Sequence, residues 1–393
     1  MARSTEALVE PSILIWARMS AGLSIGEAAV SLGTKPEKVE AWEEGEAAPS
    51  MAQLRRMVTV YKRMLSDFYL PAIPQEEALP HDFRRLPGEV ALRYSKALRY
   101  QLRLAQQRRR LALDLAEDLD TEIPVIAALI KMNSDTEATG AKLRELLDVP
   151  LNMQRTWRDP RISYNGWRTA IERIGILVFQ ATGVPTAEML GFSLSERPLP
   201  VIGVNRKLRP NGRTFTLLHE CVHVFMQQSS ICDIEDVSLR PPEEQKIEVF
   251  CNAVAAAALV PMDALLSEPI VKAHSPKPRD WDNSELAALS RAFGVSEEMI
   301  LRRLLTARRT TQDFYRDRRK IWGSLMEDTT PADPDADFKR NMPQEVISDL
   351  GRPFTRIVVD SYTNSFTSLS DISRYLGLRA GQVRKVQELL VRS

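Results

Sequence analysis

Apolar positions at the centre of the chain recur with a helical period. In TFTLLHECVHVFM, Phe215, Leu217, Leu218, Val224 and Phe225 surround a short polar group, which predicts a buried helix. A second helix is expected over KIEVFCNAVAAAALVP, rich in alanine and stopped at Pro261. The segment from Pro200 to Asn205 (PVIGVN) reads as a short strand, equally suited to a buried position or to a sheet edge. Near the N-terminus, Ser24 caps a helix whose inward residues are Ile25, Ala28, Ala29 and Leu32, and Gly33 makes the turn. Pro36 opens the next helix, with Val39 and Trp42 turned inward. The same spacing, an apolar residue, glycine, five residues and another apolar residue, returns at Gly294 with Ile300 and at Gly377 with Val383. Two further helix-turn-helix-like pairs are therefore expected. Leu111 to Leu151 reads as a helical connection, and Met326 to Phe338 as an acidic, proline-containing linker.

Composition narrows the class. A chain of 393 residues is long enough for two or three domains with cores of their own. Its 53 basic and 52 acidic residues nearly cancel, so only local charge can speak about partners. No apolar run approaches the ~18 residues that span a membrane, and the N-terminus lacks a cleavable secretory pattern. Cys221, Cys232 and Cys251 form neither an even framework nor a CxxC pair, as expected in a reducing compartment. The expectation is a cytoplasmic chain with no membrane partner.

The polar group inside the central helix carries the chemistry. It reads His219-Glu220-Cys221-Val222-His223, and the whole chain has only 4 histidines. Histidines at i and i+4 share one helix face, so both imidazoles can reach a single metal ion. The glutamate between them lies to the side of that face, where it can orient a water at the ion and take its proton. Two histidines leave a metal site incomplete. Glu248 in the second helix is the leading third ligand, and Asn252, four residues on, can support a ligand from the same face. Glu243 and Glu244 rank below it, beside Pro241-Pro242 in an expected loop. Tyr164, Arg213 and His274 could each stabilise an oxyanion, and the sequence does not choose among them.

The stretch from Trp157 to Pro261, about a quarter of the chain, resembles the ImmA/IrrE family of zinc metallopeptidases. The resemblance rests on WRTAIERIGILVF, GFSLSERPLPVIGVN, RTFTLLHECVHVF and IEVFCNAVAAAALVP, in that order. It implies zinc, with manganese as a substitute in vitro, on His219, His223 and Glu248, with Glu220 as general base. It also implies cleavage of a regulatory protein, typically a helix-turn-helix repressor, bound as an extended peptide along an edge strand. Cys221 stands where the family usually has leucine and reads as a core residue facing away from the metal.

WARMSAGLSIGEAAVSLGTKPEKVEAWEEGEAAPSMAQLRRMVTVYKRML resembles XRE-type helix-turn-helix domains, in which the helix after the turn enters the major groove. That puts Lys35 and Lys38 forward as DNA contacts. Five glutamates between Lys35 and Glu46 oppose phosphate approach, however. From Arg84 to Arg110 nine basic residues face one glutamate, and Arg93, Lys96, Arg99 and Arg103 recur at helical spacing, with Leu92, Leu98, Leu102 and Leu104 to pack the helix. Arg384 and Lys385 make the last helix-turn-helix-like pair basic. Arg93, Lys96, Arg99, Arg384 and Lys385 are therefore further DNA candidates.

These readings describe a mainly α chain with an α+β metallopeptidase core holding the HExxH helix and a small sheet. The expected boundaries are an XRE-type bundle at 1–72, a helical connector at 73–155, the peptidase-like core and cap at 156–305, a helix and acidic linker at 306–340, and a C-terminal helical, helix-turn-helix-like unit at 341–393. The leading expectation is a zinc endopeptidase coupled to a DNA-binding module and acting in transcription regulation on a repressor-type protein or on itself. The alternative is a non-proteolytic DNA-binding regulator, or an antitoxin-like protein, whose metal site senses. Self-association is compatible with either.

Overall fold

A serine hydroxyl and a glycine turn fix the first helices. In the computed structural model, which describes residues 6–63, 65–74, 95–126, 130–132, 134–232, 242–328 and 341–391, the opening helix α1 is Pro11–Ser20. Ser24 and Glu27 close a reciprocal capping box on α2 (Ile25–Leu32), and Gly33, at φ 63°, ends it in the left-handed region. Helices α3 (Pro36–Glu43) and α4 (Met51–Tyr61) follow, and a 3-10 turn over Leu65–Tyr69 closes the bundle. Its core contains Ile13, Leu14, Ala28, Leu32, Val39, Trp42, Leu54, Met57, Tyr61 and Phe68.

The chain forms two compact units, and α5 (Lys96–Asp118) is divided between them at Leu104. Within the first unit the basic residues of α5 are engaged. Lys96 Nζ lies 3.0 Å from Glu27 Oε1, Arg99 packs against Gly22, and Arg103 donates to the carbonyls of Ser20, Tyr61 and Lys62. Glu43, counted above on the acidic face, is instead buried in a bidentate pair with Arg18 at 2.7 and 2.8 Å. Arg93 and most of the acidic linker lie outside the described residues.

The second unit holds a small mixed sheet among helices. Helices α6 (Thr136–Leu147), α7 (Leu151–Thr156) and α8 (Pro160–Arg173) lead into strands β1 (Leu177–Ala181), β2 (Gly191–Leu194) and β3 (Val201–Asn205). Then come α9 (Pro210–Phe225), β4 (Ser230–Cys232) and α10 (Pro242–Leu259). The sheet order is β1-β3-β2-β4, with β1 and β3 parallel and the other pairs antiparallel. The PVIGVN strand is therefore central. The outer strand on the β2 side is β4, whose only strand partner among the described residues is β2. Every residue of β1, β2 and β3 is buried, which is why alternation along PVIGVN could not separate an edge strand from a covered one.

Short helices α11 (Met262–Ser267) and α12 (Pro269–Lys272) precede the pair α13 (Asn283–Phe293) and α14 (Glu297–Thr306), joined through Gly294 at φ 65°. After α15 (Gln312–Asp328), helices α16 (Met342–Leu350), α17 (Arg352–Thr363), α18 (Leu369–Leu376) and α19 (Ala380–Val391) complete the chain, with Gly377 at φ 65° between the last two. Helix α16 lies against β1, where Gln180 Nε2 donates to Ser348 O at 2.9 Å. The glycine-turn pairs foreseen at Gly33, Gly294 and Gly377 all form. The molecule is mainly helical with a four-stranded sheet, and among the described residues no single helix is long and apolar enough to cross a membrane.

Candidate metal centre

Helix α9 is buried along nearly its whole second half. Leu217, Leu218, Cys221, Val222, Val224 and Phe225 are sealed into the core, which takes His219, Glu220 and His223 in with them. The one-turn spacing brings the two rings together, His219 Nε2 to His223 Nε2 at 3.1 Å.

Helix α10 supplies the third donor. Its alanine-rich end lets α6 approach closely, so that a Cβ on Gly140 would sit 2.7 Å from Ala257 Cβ and 2.8 Å from Ala258 N. Its last carbonyls are answered by buried side chains: Arg144 on Ala258 O, Gln154 on Leu259 O and Arg303 on Val260 O just beyond. One carboxylate oxygen of Glu248 lies 3.3 Å from His219 Nε2 and the other 3.2 Å from His223 Nε2. Burial opposes charge on Glu248, but the two imidazoles outweigh it and hold the carboxyl well below the usual carboxylate range. Burial likewise opposes protonation of His219, and Glu248 more than offsets it. Asn252, one turn past Glu248, hydrogen-bonds His219.

This donor set fits a metal ion. Ligands about 2.0–2.1 Å from one tetrahedral ion stand about 3.3–3.4 Å apart, and the separations here are 3.1–3.3 Å. Two imidazoles and one carboxylate, all buried, are also the donor types such an ion takes. Glu243 and Glu244 occupy the first turn of α10, which Pro242 opens, and not a loop. They stand at least a turn before Glu248 and outside the donor set.

Glu220 is fully buried on the side of α9 that meets the sheet. Its Oε2 accepts from Ser230 Oγ on β4 at 2.7 Å, and Ser230 Oγ lies 2.8 Å from Ser193 Oγ on β2. Its Oε1 has no hydrogen-bond partner among the described residues. Gly191 makes room below, since a Cβ there would meet Glu220 Cγ and Oε1 at 3.1 Å. Sequence reasoning missed all three residues. The QQSSIC segment shows no alternation long enough to announce a strand, and Gly191 has no turn around it.

The remaining candidates are placed as follows. Tyr164 is buried, with Arg213 over its ring at 5.1 Å and Arg213 donating to Gln180 Oε1. His274 is bonded to Glu285 at 2.6 Å and packs edge-on against Trp281. Cys221 is buried with its thiol pushed upward by burial, as a core residue should be. Cys251 is buried as well, 3.8 Å from Met226 Sδ. Lys35, Lys38, Arg384 and Lys385 are exposed at the starts and faces of the second helices of their pairs.

Residues 171–305 match the family model described as the IrrE N-terminal-like domain of peptidase family M78. The match spans the sheet, α9, α10 and the α13–α14 pair, and it implies a metal ion and a protein substrate for this part of the chain. No curated protein matches the chain.

Proposed function

We propose that the second unit is a zinc-dependent endopeptidase in which His219, His223 and Glu248 hold the ion and Glu220 is the general base. The observation that carries this is the convergence of three buried donors at 3.1–3.3 Å beside a buried glutamate one residue along the same helix. When bound, zinc polarises a scissile carbonyl and makes water nucleophilic near neutral pH. Asn252 stands beside His219, and Glu220 takes a proton and returns it to the leaving amine. The outer strand β4, beside Glu220, offers main-chain groups to an extended peptide. The substrate we infer is a repressor-type regulatory protein, or the chain itself. We infer further that the helix-turn-helix pairs contact DNA, so that cleavage and transcription are coupled in the cytoplasm. The support is the turn at Gly33, which sets α3 after α2 as a groove-reading helix requires.

Two variants test the reading. Glu248→Ala should lose the metal in elemental analysis, because among the described residues no fourth donor joins the set. Glu220→Gln should keep the metal but cut a co-encoded repressor at least ~100-fold more slowly. Cleavage by Glu220→Gln at the parent rate would end the proposal.

A further inference from the structure

The geometry points to Ser230 and Ser193 as positioning residues that anchor one oxygen of Glu220 and leave the other for proton transfer, an inference that rests on the reading of Glu220 as general base. A buried carboxylate needs hydrogen-bond donors, and among the described residues this one receives a single donor, asymmetrically. Ser230 Oγ takes Oε2 at 2.7 Å, while Oε1 has no partner among them.

The direction of the chain of hydroxyls follows from proton counting. A serine has one hydroxyl proton, and Ser230 spends its own on Glu220. Ser193 then donates across the 2.8 Å contact to Ser230 in preference to its longer 3.5 Å contact with the Gln228 carbonyl, so the order runs Ser193 to Ser230 to Glu220. Polarisation along such a chain strengthens the terminal bond to the carboxylate. Register builds the arrangement, because Ser193 and Ser230 are direct partners across β2 and β4, with no exposure at either residue. Gly191, two residues before Ser193 and on the same face, leaves the space the carboxylate fills. The glycine makes the room, and the hydroxyls held by the strands restrict rotation of Glu220 about its last bond. The anchor also sits on β4, the strand proposed above to receive the peptide.

The test uses the full zinc-loaded chain and acetohydroxamate, which chelates zinc and hands a proton to a neighbouring carboxylate whatever the peptide sequence preferred. Ser230→Ala should take up zinc as the parent does yet bind acetohydroxamate up to about tenfold more weakly, because an unanchored Glu220 side chain must then be ordered on binding. Ser193→Ala should show a smaller loss, about twofold to threefold. In a Glu220→Ala background, Ser230→Ala should add nothing, since no carboxylate remains to position. An equal loss in both backgrounds would mean that Ser230 merely supports the fold, and parent-like binding by Ser230→Ala would overturn the anchor directly. If the parent takes up no zinc, or Glu220→Ala leaves hydroxamate binding unchanged, the peptidase reading falls and takes this inference with it.

Discussion

Arg168 shows what one deeply buried charge demands. Its guanidinium donates to Glu172 at 2.8 Å and to the carbonyls of Val178 on β1 and Ser348 on α16, so one planar fork joins three elements. Gly351 is needed beside it, because at φ 76° it adopts a left-handed backbone and a Cβ there would strike Glu172 Oε1. Arg168→Met would leave Glu172 buried without its partner, and breaking such a pair typically costs about 3–5 kcal/mol. Denaturant unfolding of the variant measures this, and a loss under ~1 kcal/mol would show that Glu172 simply takes up a proton. Arg168→Lys should rescue little, since one ammonium nitrogen cannot reach acceptors that Nε, Nη1 and Nη2 meet separately. Helical period puts Arg168 on the buried face with Tyr164, Trp167 and Ile171 and leaves Arg173 exposed, but it does not say what covers that face. The acceptors that meet the Arg168 guanidinium come from β1 and α16 as well as from its own helix.

Helix pairs repeat one local recipe with different surface charge. Glu27 in the α2 capping box is bonded to the Ser24 backbone and to Lys96, and these hold its carboxyl at about 2 against an ordinary 4.5. A depressed folded value means that Glu27 stabilises the first unit above pH 4.5 and loses that contribution as pH falls toward 2. The melting-temperature gap between the parent and Glu27→Gln should therefore be wider at pH 7 than at pH 2.5, and a constant gap would exclude the linkage. The charge on the second helices bears on the proposed DNA contact. Helix α3 exposes Glu37 and Glu40 beside Lys38, whereas α19 exposes Arg384 and Lys385 with Glu388. Reversing Arg384 and Lys385 should flatten the salt dependence of binding to the upstream duplex by about two units of slope. Reversing Lys35 and Lys38 should change it less, and the opposite ranking would place the contact on α3. Lys96 and Arg99 are a separate case. They are committed to Glu27 and Gly22, so their reversal should first appear as lower stability of the first unit.

Across the whole molecule, the candidate metal donors found among the described residues all lie in one unit. The three donors tie α9 to α10, and both helices belong to the second unit. An ion that binds the folded unit stabilises it by about 2.7 kcal/mol at a free concentration 100 times its dissociation constant. Calorimetry with zinc and after chelation should therefore show one transition that moves down on metal removal, while the transition of the N-terminal unit stays in place. If both moved together, the two units would be unfolding as one. If neither moved, the site would not be holding zinc.

Local rules made much of this chain legible from its residues. Helical period placed His219 and His223 on one face of α9, Pro261 stopped the helix that carries Glu248, and Ser24 with Gly33 bounded α2. Each depends on neighbours within about two turns, which the sequence carries in full. Other features depend on contacts between distant segments. Tertiary packing decided that Glu248, and not Glu243 or Glu244, meets the two imidazoles, because the offset between α9 and α10 is set by the close approach of α6 at Gly140 and by the side chains that hold the end of α10. It put PVIGVN at the centre of the sheet, turned Glu43 inward onto Arg18, and engaged the basic residues of α5 within the first unit. It also brought Ser193 and Ser230 from separate strands behind Glu220. A periodic pattern specifies which face of an element is buried, but the partner that covers it is chosen by shape and hydrogen bonding across the fold.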